Sequence, residues 1–278
     1  MKRLLTAAVA LPLLILLILK GGPFLFTCFV MLLTFIGLSE FYDMTLPGRK
    51  PEGMLASLLG ALLPLAMVGT DPLRFPGTLT LTGMDPHRFP AFLTLLVLLF
   101  ALHFLFRFQD IRLAAGETAL VCFGFLYVPL LLGHLILLRL ATHGVQWIFL
   151  LLVIVMSGDS AAYYVGSSLG KRKLYPAVSP KKSVEGALGG VAGSLVGAFV
   201  FRYLWFPELA VADCLVVTLL AAPLGQLGDL FESLLKRSCG VKDSGVIIPG
   251  HGGILDRLDS ILFAVPLIYY YLHYVIQR

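Results

Sequence analysis

A run of about 20 mostly apolar residues is long enough to cross a hydrocarbon core of roughly 30 Å as a helix, and such runs recur here from Leu4 to Ile276. Nine stretches qualify: 4–20, 23–43, 53–69, 90–107, 117–139, 146–168, 188–205, 210–237 and 254–277. Lipid offers no partner for backbone amides, so each stretch is expected to satisfy its own as a helix. The fold expected is an all-α polytopic integral membrane protein with nine transmembrane helices. Only 13% of the 278 residues are charged, against about 25% in a soluble domain, and the mean hydropathy is +0.92. These values exclude a soluble enzyme, a disordered chain and a secreted disulfide scaffold. Cys28, Cys122, Cys214 and Cys239 are scattered, which argues against a disulfide framework or a zinc site. The first stretch follows Lys2-Arg3 and lacks a small-x-small cleavage site before Lys20-Gly21-Gly22, so an uncleaved anchor is expected.

With nine spans the connections fall into two alternating sets. One holds Lys2, Arg3, Arg49, Lys50, Arg107, Arg112, Lys171, Arg172, Lys173, Lys181, Lys182, Lys236, Arg237, Lys242 and Arg257, fifteen cations in all. The other holds six: Lys20, Arg74, Arg88, Arg139, Arg202 and Arg278. By the positive-inside rule the first set is cytoplasmic, with the N-terminus inside and the C-terminus external. The net charge of +5 is then explained by orientation, and nucleic acid is not an expected partner. Nine of the fifteen crowd into two Gly-, Pro- and Ser-containing loops, 169–187 and 236–257, more than topology needs, which suggests an anion-binding surface. Two regions are expected. Residues 1–145 carry about five spans, a scaffold and candidate dimer region, and residues 146–278 carry about four spans and the two basic loops.

Acids in the apolar stretches are the next constraint. An ionised Asp at mid-bilayer costs about 2.5–3.5 kcal/mol on insertion scales, so such residues face a bundle interior or a wet cavity. By a rise of about 1.5 Å per residue, Asp159 in the sixth span, Asp229 in the eighth, and Asp256 and Asp259 at the start of the ninth all fall toward the cytoplasmic side. Asp229, Glu232, Ser233, Lys236 and Arg237 share one helical stripe, as do Asp256, Asp259 and Ser260, and Asp159 lies one turn from Tyr163. One explanation is a set of ion pairs, Asp256 with Lys236 for example, that ties helices together. The other is a phosphate–metal site: Mg²⁺ takes one or two carboxylates plus substrate phosphates, Lys and Arg neutralise phosphate oxygens, and glycine admits backbone N–H groups close to them. The run Pro249-Gly250-His251-Gly252-Gly253 before Asp256 has this character. Gly189, Gly193 and Gly197 recur every four residues inside an apolar span, which indicates close helix packing.

The segment from Ser233 through Lys236-Arg237, Lys242-Asp243, Gly245, Pro249-Gly250-His251-Gly252-Gly253, Asp256-Arg257 to Asp259 resembles the defining pattern of the phosphatidate cytidylyltransferase (CDP-diacylglycerol synthase) family. Asp159-Ser-Ala-Ala-Tyr163, with Gly166, Gly170 and Lys171, is similar to a second block of that family. Ser179-Pro-Lys181-Lys182-Ser183-Val-Glu185-Gly186 is similar to a third. Ser160 and Ser183 stand where threonine is expected and keep the hydroxyl. The resemblance covers about 155–260. It implies transfer of CMP from CTP to phosphatidic acid in phospholipid biosynthesis, Mg²⁺ dependence with K⁺ as a candidate second cation, a homodimer, contact with membrane lipids, and location in the bacterial inner membrane with a cytoplasm-facing site. Asp229 and Asp256 then hold the metal, and Ser233, Lys236, Arg237 and Asp259 are further activity-linked positions. Lys181, Lys182, Ser183, Lys242, Asp243, His251, Gly252, Gly253, Arg257, Asp159 and Tyr163 are the expected substrate-binding set. A CTP-dependent lipid kinase and an anion or metal transporter are the competing readings.

Overall fold

In a computed structural model, which describes residues 2–70, 81–247 and 252–277, helix dominates. Seven helices among the described residues are long and apolar enough to cross a membrane. Their ends carry ordinary start signals: Pro23 opens α2 (Pro23–Thr45), where a missing N–H costs nothing. Asp110 accepts from the Arg112 N–H to cap α6 (Ile111–Phe125).

The described chain divides into two compact units. The first comprises Met1–Thr142 and Asp243–Leu255. It contains α1 (Lys2–Lys20), α2, α3 (Lys50–Gly60), α4 (Leu63–Ala66) and the antiparallel pair β1 (Val68–Thr70) and β2 (Leu81–Met84), followed by α5 (Arg88–Arg107), α6 and α7 (Leu131–Leu140). The helices α6 and α7 join through a π-helical turn, Leu126–Leu130, that contains Pro129. Together they form one apolar passage, Ile111–Leu140. The expected straight span over 53–69 is broken. It forms the short α3 and α4 with a turn at 61–62 and ends in β1, because Gly60 and Pro64 interrupt the apolar run with a poor helix former and a missing amide. At about 1.5 Å per residue, α3 alone is too short to cross. The first unit is tied by Arg49, 2% exposed, which donates to Glu117, to Glu52 and to the carbonyl of Arg107.

The second unit comprises His143–Lys242 and Asp256–Arg278. It contains α8 (Gly144–Leu169), the hairpin of β3 (Lys173–Tyr175) and β4 (Ser179–Ser183), α9 (Val184–Trp205), α10 (Val211–Ser238) and the body of α11 (Leu255–Tyr271), which runs into a π-helical end at Leu272–Ile276. These helices lie close to the boundaries expected from the apolar pattern. The small-residue stripe does what its spacing indicates: a Cβ at Gly189, Gly193 or Gly197 would collide with Val165, Ala161 or Ser157 on α8. The hydroxyl of Ser194 donates to the carbonyl of Ile154 at 2.7 Å, so α8 and α9 are in backbone-to-backbone proximity. Between α10 and α11, Gly225 faces Ser260, and Gly228 faces the carbonyl of Asp259 and the ring of Phe263.

Gly193→Leu is expected to destabilise the protein by about 1–3 kcal/mol, the usual penalty for overpacking a filled contact. Gly116→Leu, at a position with open space around it, should change stability by less than about 0.5 kcal/mol. Thermal unfolding in detergent compares the two; equal shifts would remove the packing role from the glycine stripe.

Candidate active site

Two lysines organise the acids of the second unit. The ammonium of Lys236 on α10 lies 2.5 Å from Oδ1 of Asp256 on α11 and 3.4 Å from Oε1 of Glu232, one turn back on its own helix. The ammonium of Lys182 on β4 lies 2.6 Å from Oδ2 of Asp229 on α10. Asp259 interacts electrostatically with Glu232 and Asp229, and Asp159 on α8 with Asp229, Lys182 and Arg257. Three helices and a hairpin thus bring Asp159, Asp229, Glu232, Asp256 and Asp259 into the company of Lys182, Lys236 and Arg257. The ion pair between Asp256 and Lys236, raised as the structural alternative, is present. Among the described residues no group of three or more His, Cys, Asp or Glu side chains is arranged around a common metal position.

The sequence puts these side chains here through two devices. Helical spacing lines up Asp229, Glu232 and Lys236 on α10, and Asp256 and Asp259 on α11. The hairpin supplies the second cation. Its strands pair Lys173 with Ser183 and Tyr175 with Ser179, and the carboxylate of Glu185 accepts from the backbone N–H groups of Lys171 and Arg172 at 3.0 and 3.1 Å. The Ser183 oxygen accepts from the Gly186 N–H at 3.1 Å, so this hydroxyl caps α9 as well as bordering the cavity below.

A cavity of about 540 Å³ opens beside the Lys182–Asp229 pair; Asp159, Tyr163, Lys181, Lys182, Gln226 and Asp229 line it. Asp159 and Tyr163 are exposed on its wall, and Tyr163 lies edge-on to Tyr164. Ser233 is half-buried on α10, and Arg257 is exposed at the start of α11. Arg237 is exposed and donates to the carbonyl of Val241 at 3.1 Å at the C-terminal end of α10. Lys242 and Asp243 are exposed. Gly252 adopts φ +82°, a conformation that suits glycine, and Gly253 is buried; both belong to the first unit with Asp243. His251, Pro249 and Gly250 lie outside the described residues.

Sequence reasoning passed over Gln226 and undervalued Glu232. Gln226 lies one turn before Asp229, lines the cavity and donates to the carbonyl of Ala187 at 3.0 Å; its place on the acidic stripe was the available signal. Glu232 is 0% exposed, and neither of its carboxylate oxygens has a hydrogen-bond partner of ordinary geometry among the described residues. Its Oε1 lies 3.4 Å from the ammonium of Lys236 and the Asp259 side chain lies beside it, in a setting where an unpaired carboxylate is costly.

Residues 1–275 match the cytidylyltransferase family. The chain belongs to that family. It is 36% identical over 277 residues to a phosphatidate cytidylyltransferase of Staphylococcus saprophyticus, with 96% of each chain covered. It is 46% identical over 157 residues to the phosphatidate cytidylyltransferase of Bacillus subtilis, where the match spans 56% of this chain and 58% of that one. A third relative, the phosphatidate cytidylyltransferase of Staphylococcus aureus (strain COL), is 40% identical over 163 residues, again 59% of each chain.

Lys236→Met removes the shared cation from two acids and is expected to destabilise the protein by about 3 kcal/mol or more, as when one member of a buried ion cluster is lost. Glu232→Gln leaves Lys236 paired with Asp256 and should cost no more than about 1 kcal/mol. Unfolding midpoints in detergent test the ranking, and a reversed order would show that Lys236 does not hold the cluster.

Proposed function

We propose that the protein is a phosphatidate cytidylyltransferase that transfers CMP from CTP to phosphatidic acid, giving CDP-diacylglycerol and pyrophosphate for phospholipid biosynthesis. The acid–lysine cluster beside a cavity of about 540 Å³ carries this proposal, supported by family membership over residues 1–275. In the reaction a phosphate oxygen of phosphatidic acid attacks the α-phosphorus of CTP. A new P–O bond forms as the bond to the oxygen bridging the β-phosphate breaks, and that electron pair departs with pyrophosphate. The attacking phosphate is already anionic, so no strong base is needed. The obstacle is bringing two polyanions together, and positioning with charge neutralisation meets it.

Lys181 and Lys182 on the hairpin, with Lys236 and Arg237 at the end of α10, are suited to hold phosphate oxygens, Arg as a fork and Lys as a point charge. Lys182 and Lys236 wait on carboxylates, so each can exchange one anionic partner for another without ever being left uncompensated in a low-dielectric setting. Ser183, Lys242, Asp243, His251, Gly252, Gly253, Arg257, Asp159 and Tyr163 complete the substrate-binding set, with Ser233 and Asp259 supporting the catalytic acids. The donor set also suits a divalent cation, since five acids outnumber three cations and the carboxylate of Glu232 is wholly buried among them. Asp229 and Asp256 would hold Mg²⁺, with K⁺ as a second cation. When bound, Mg²⁺ supplies polarisation of the α-phosphate and neutralises charge on the departing pyrophosphate.

The Lys and Arg distribution supports a cytoplasmic N-terminus, an external C-terminus and a site opening to the cytoplasm from the bacterial inner membrane. Nine passages then count α1 and the α3–α4 segment beside the seven longer helices. The acyl chains of phosphatidic acid remain in the bilayer while CTP arrives from water, with a homodimer as the assembly and no part for nucleic acid.

Purified protein supplied with CTP, phosphatidic acid and Mg²⁺ is expected to release pyrophosphate in step with CDP-diacylglycerol, and to stop on chelation of the metal. Uptake of anions or metal into vesicles with no turnover would replace the enzyme with a transporter. Asp229→Asn and Asp256→Asn are each expected to lower kcat by at least about 100-fold, the scale of losing one charge-stabilising group, while the protein still inserts; turnover close to the parent's would take them out of the metal role. Lys181→Ala with Lys182→Ala should raise KM for CTP by about 10-fold or more, as expected for lost charged hydrogen bonds. An unchanged CTP dependence would return both lysines to topology.

A further inference from the structure

Glu40 lies near the C-terminal end of α2, in a stretch where Leu38, Phe41 and Tyr42 are buried as well. It is 4% exposed, and its carboxylate receives three donors from a segment 204 to 215 residues further along the chain. Oε2 accepts from the hydroxyl of Ser244 at 3.0 Å and from the backbone N–H of Leu255 at 2.9 Å, and Oε1 accepts from the backbone N–H of Ile254 at 2.9 Å. Gly245 and Gly253 pack so tightly that a Cβ at either would strike the carboxylate. All of these residues belong to the first unit.

A carboxylate in a spanning helix is expensive, and packing alone would be better served by an apolar residue. Glu40 is not paired with Lys, Arg or His among the described residues; hydrogen-bond donors meet its charge instead. Two of those donors sit at the very start of α11, where first-turn N–H groups have no partner within the helix and the helix dipole favours an anion. The third comes from Ser244, at the other end of the loop. One side chain therefore staples both ends of the segment 244–255. Three converging donors require a group that only accepts, which a carboxylate does and an amide does not.

We propose that Glu40 is a positioning residue for the transferase reaction, clamping Ser244 and the Ile254–Leu255 backbone and so fixing the start of α11 one residue ahead of Asp256. This rests on the proposed function only in giving Asp256 its part in turnover. With Ile254 and Leu255 held, the backbone that leads directly into Asp256 loses conformational freedom. Glu40 touches no reacting atom. It acts through the loop.

The test uses the full chain in detergent or nanodiscs. Glu40→Gln keeps the volume but opposes an NH₂ to a donor; it is expected to lower kcat by about 10- to 100-fold, the scale of a displacement of about 1 Å in an active group. KM for both substrates should change by less than about threefold. Hydrogen exchange at residues 252–256 should quicken while α8 and α9 keep their protection. Ser244→Ala should give a smaller loss, because it removes one of the three donors and leaves the two backbone N–H bonds of Ile254 and Leu255 in place. A kcat within about twofold of the parent's in both single variants would overturn the proposal. So would a loss accounted for entirely by less folded protein. Should Glu40→Gln fail to fold, Ser244→Ala decides by the same criterion. If the parent itself shows no turnover, the transferase function is what fails, and the exchange measurement still decides whether the clamp exists.

Discussion

Charge in an apolar slab has to be answered by opposite charge or by hydrogen-bond donors, and that constraint shapes the second unit more than any single contact. Glu232 is wholly buried and Lys236 nearly so; neither could remain ionised there alone. Their mutual attraction, shared with Asp256, fixes the rotation of α10 about its own axis and the placement of the first turn of α11. The Lys182–Asp229 pair does the same between α10 and the hairpin. Once these partners are set, the glycines opposite them follow. Gly225 and Gly228 let α11 approach α10 closely enough for a lysine to reach across, and residues with side chains at those positions would hold the helices too far apart.

The choice of lysine over arginine at the centre is consistent with exchange of partners. A guanidinium binds a carboxylate in a two-pronged, directional geometry, whereas an ammonium is a compact point charge on a flexible stem. Lys182 and Lys236 can thus turn from a carboxylate toward a phosphate with little rearrangement. Arginine appears where geometry is meant to stay. Arg49 is 2% exposed and bound to Glu117, Glu52 and a carbonyl.

The parts of this arrangement written in the sequence are those governed by period. Helical spacing placed Asp229, Glu232 and Lys236 on one stripe, Asp256 and Asp259 on another, and the Gly189–Gly197 stripe against a neighbouring helix. What period does not encode was harder to see. The basic segment around Lys173–Ser183 has two prolines and no sustained alternation, so it reads as a loop, yet it pairs as a hairpin between two fixed ends: Glu185 accepts from the Lys171 and Arg172 amides just before it, and Ser183 caps α9 just after it. The apolar stretch over 53–69 is long enough for a span by composition, but Gly60 and Pro64 break it. Glu40 was invisible for a different reason: its three partners lie more than two hundred residues away, and no local pattern marks a lone acid in an apolar helix as a cap for another.

That last case bears on how a membrane protein can build a precise loop at all. Backbone groups left over at a helix start must be satisfied within the protein when water is scarce, and a loop rich in glycine has much conformational freedom to lose. A self-contained solution, a capping residue within the loop, would stop the loose N–H groups of α11 from frustrating the fold but would leave the loop free to move as a whole. Drawing the cap from α2 instead attaches the loop to a 23-residue helix, whose own hydrogen bonds and apolar face resist displacement. Rigidity is thereby imported from a regular element into an irregular one. The charge of the carboxylate strengthens each bond relative to a neutral acceptor, so one side chain suffices where several neutral ones would otherwise be needed.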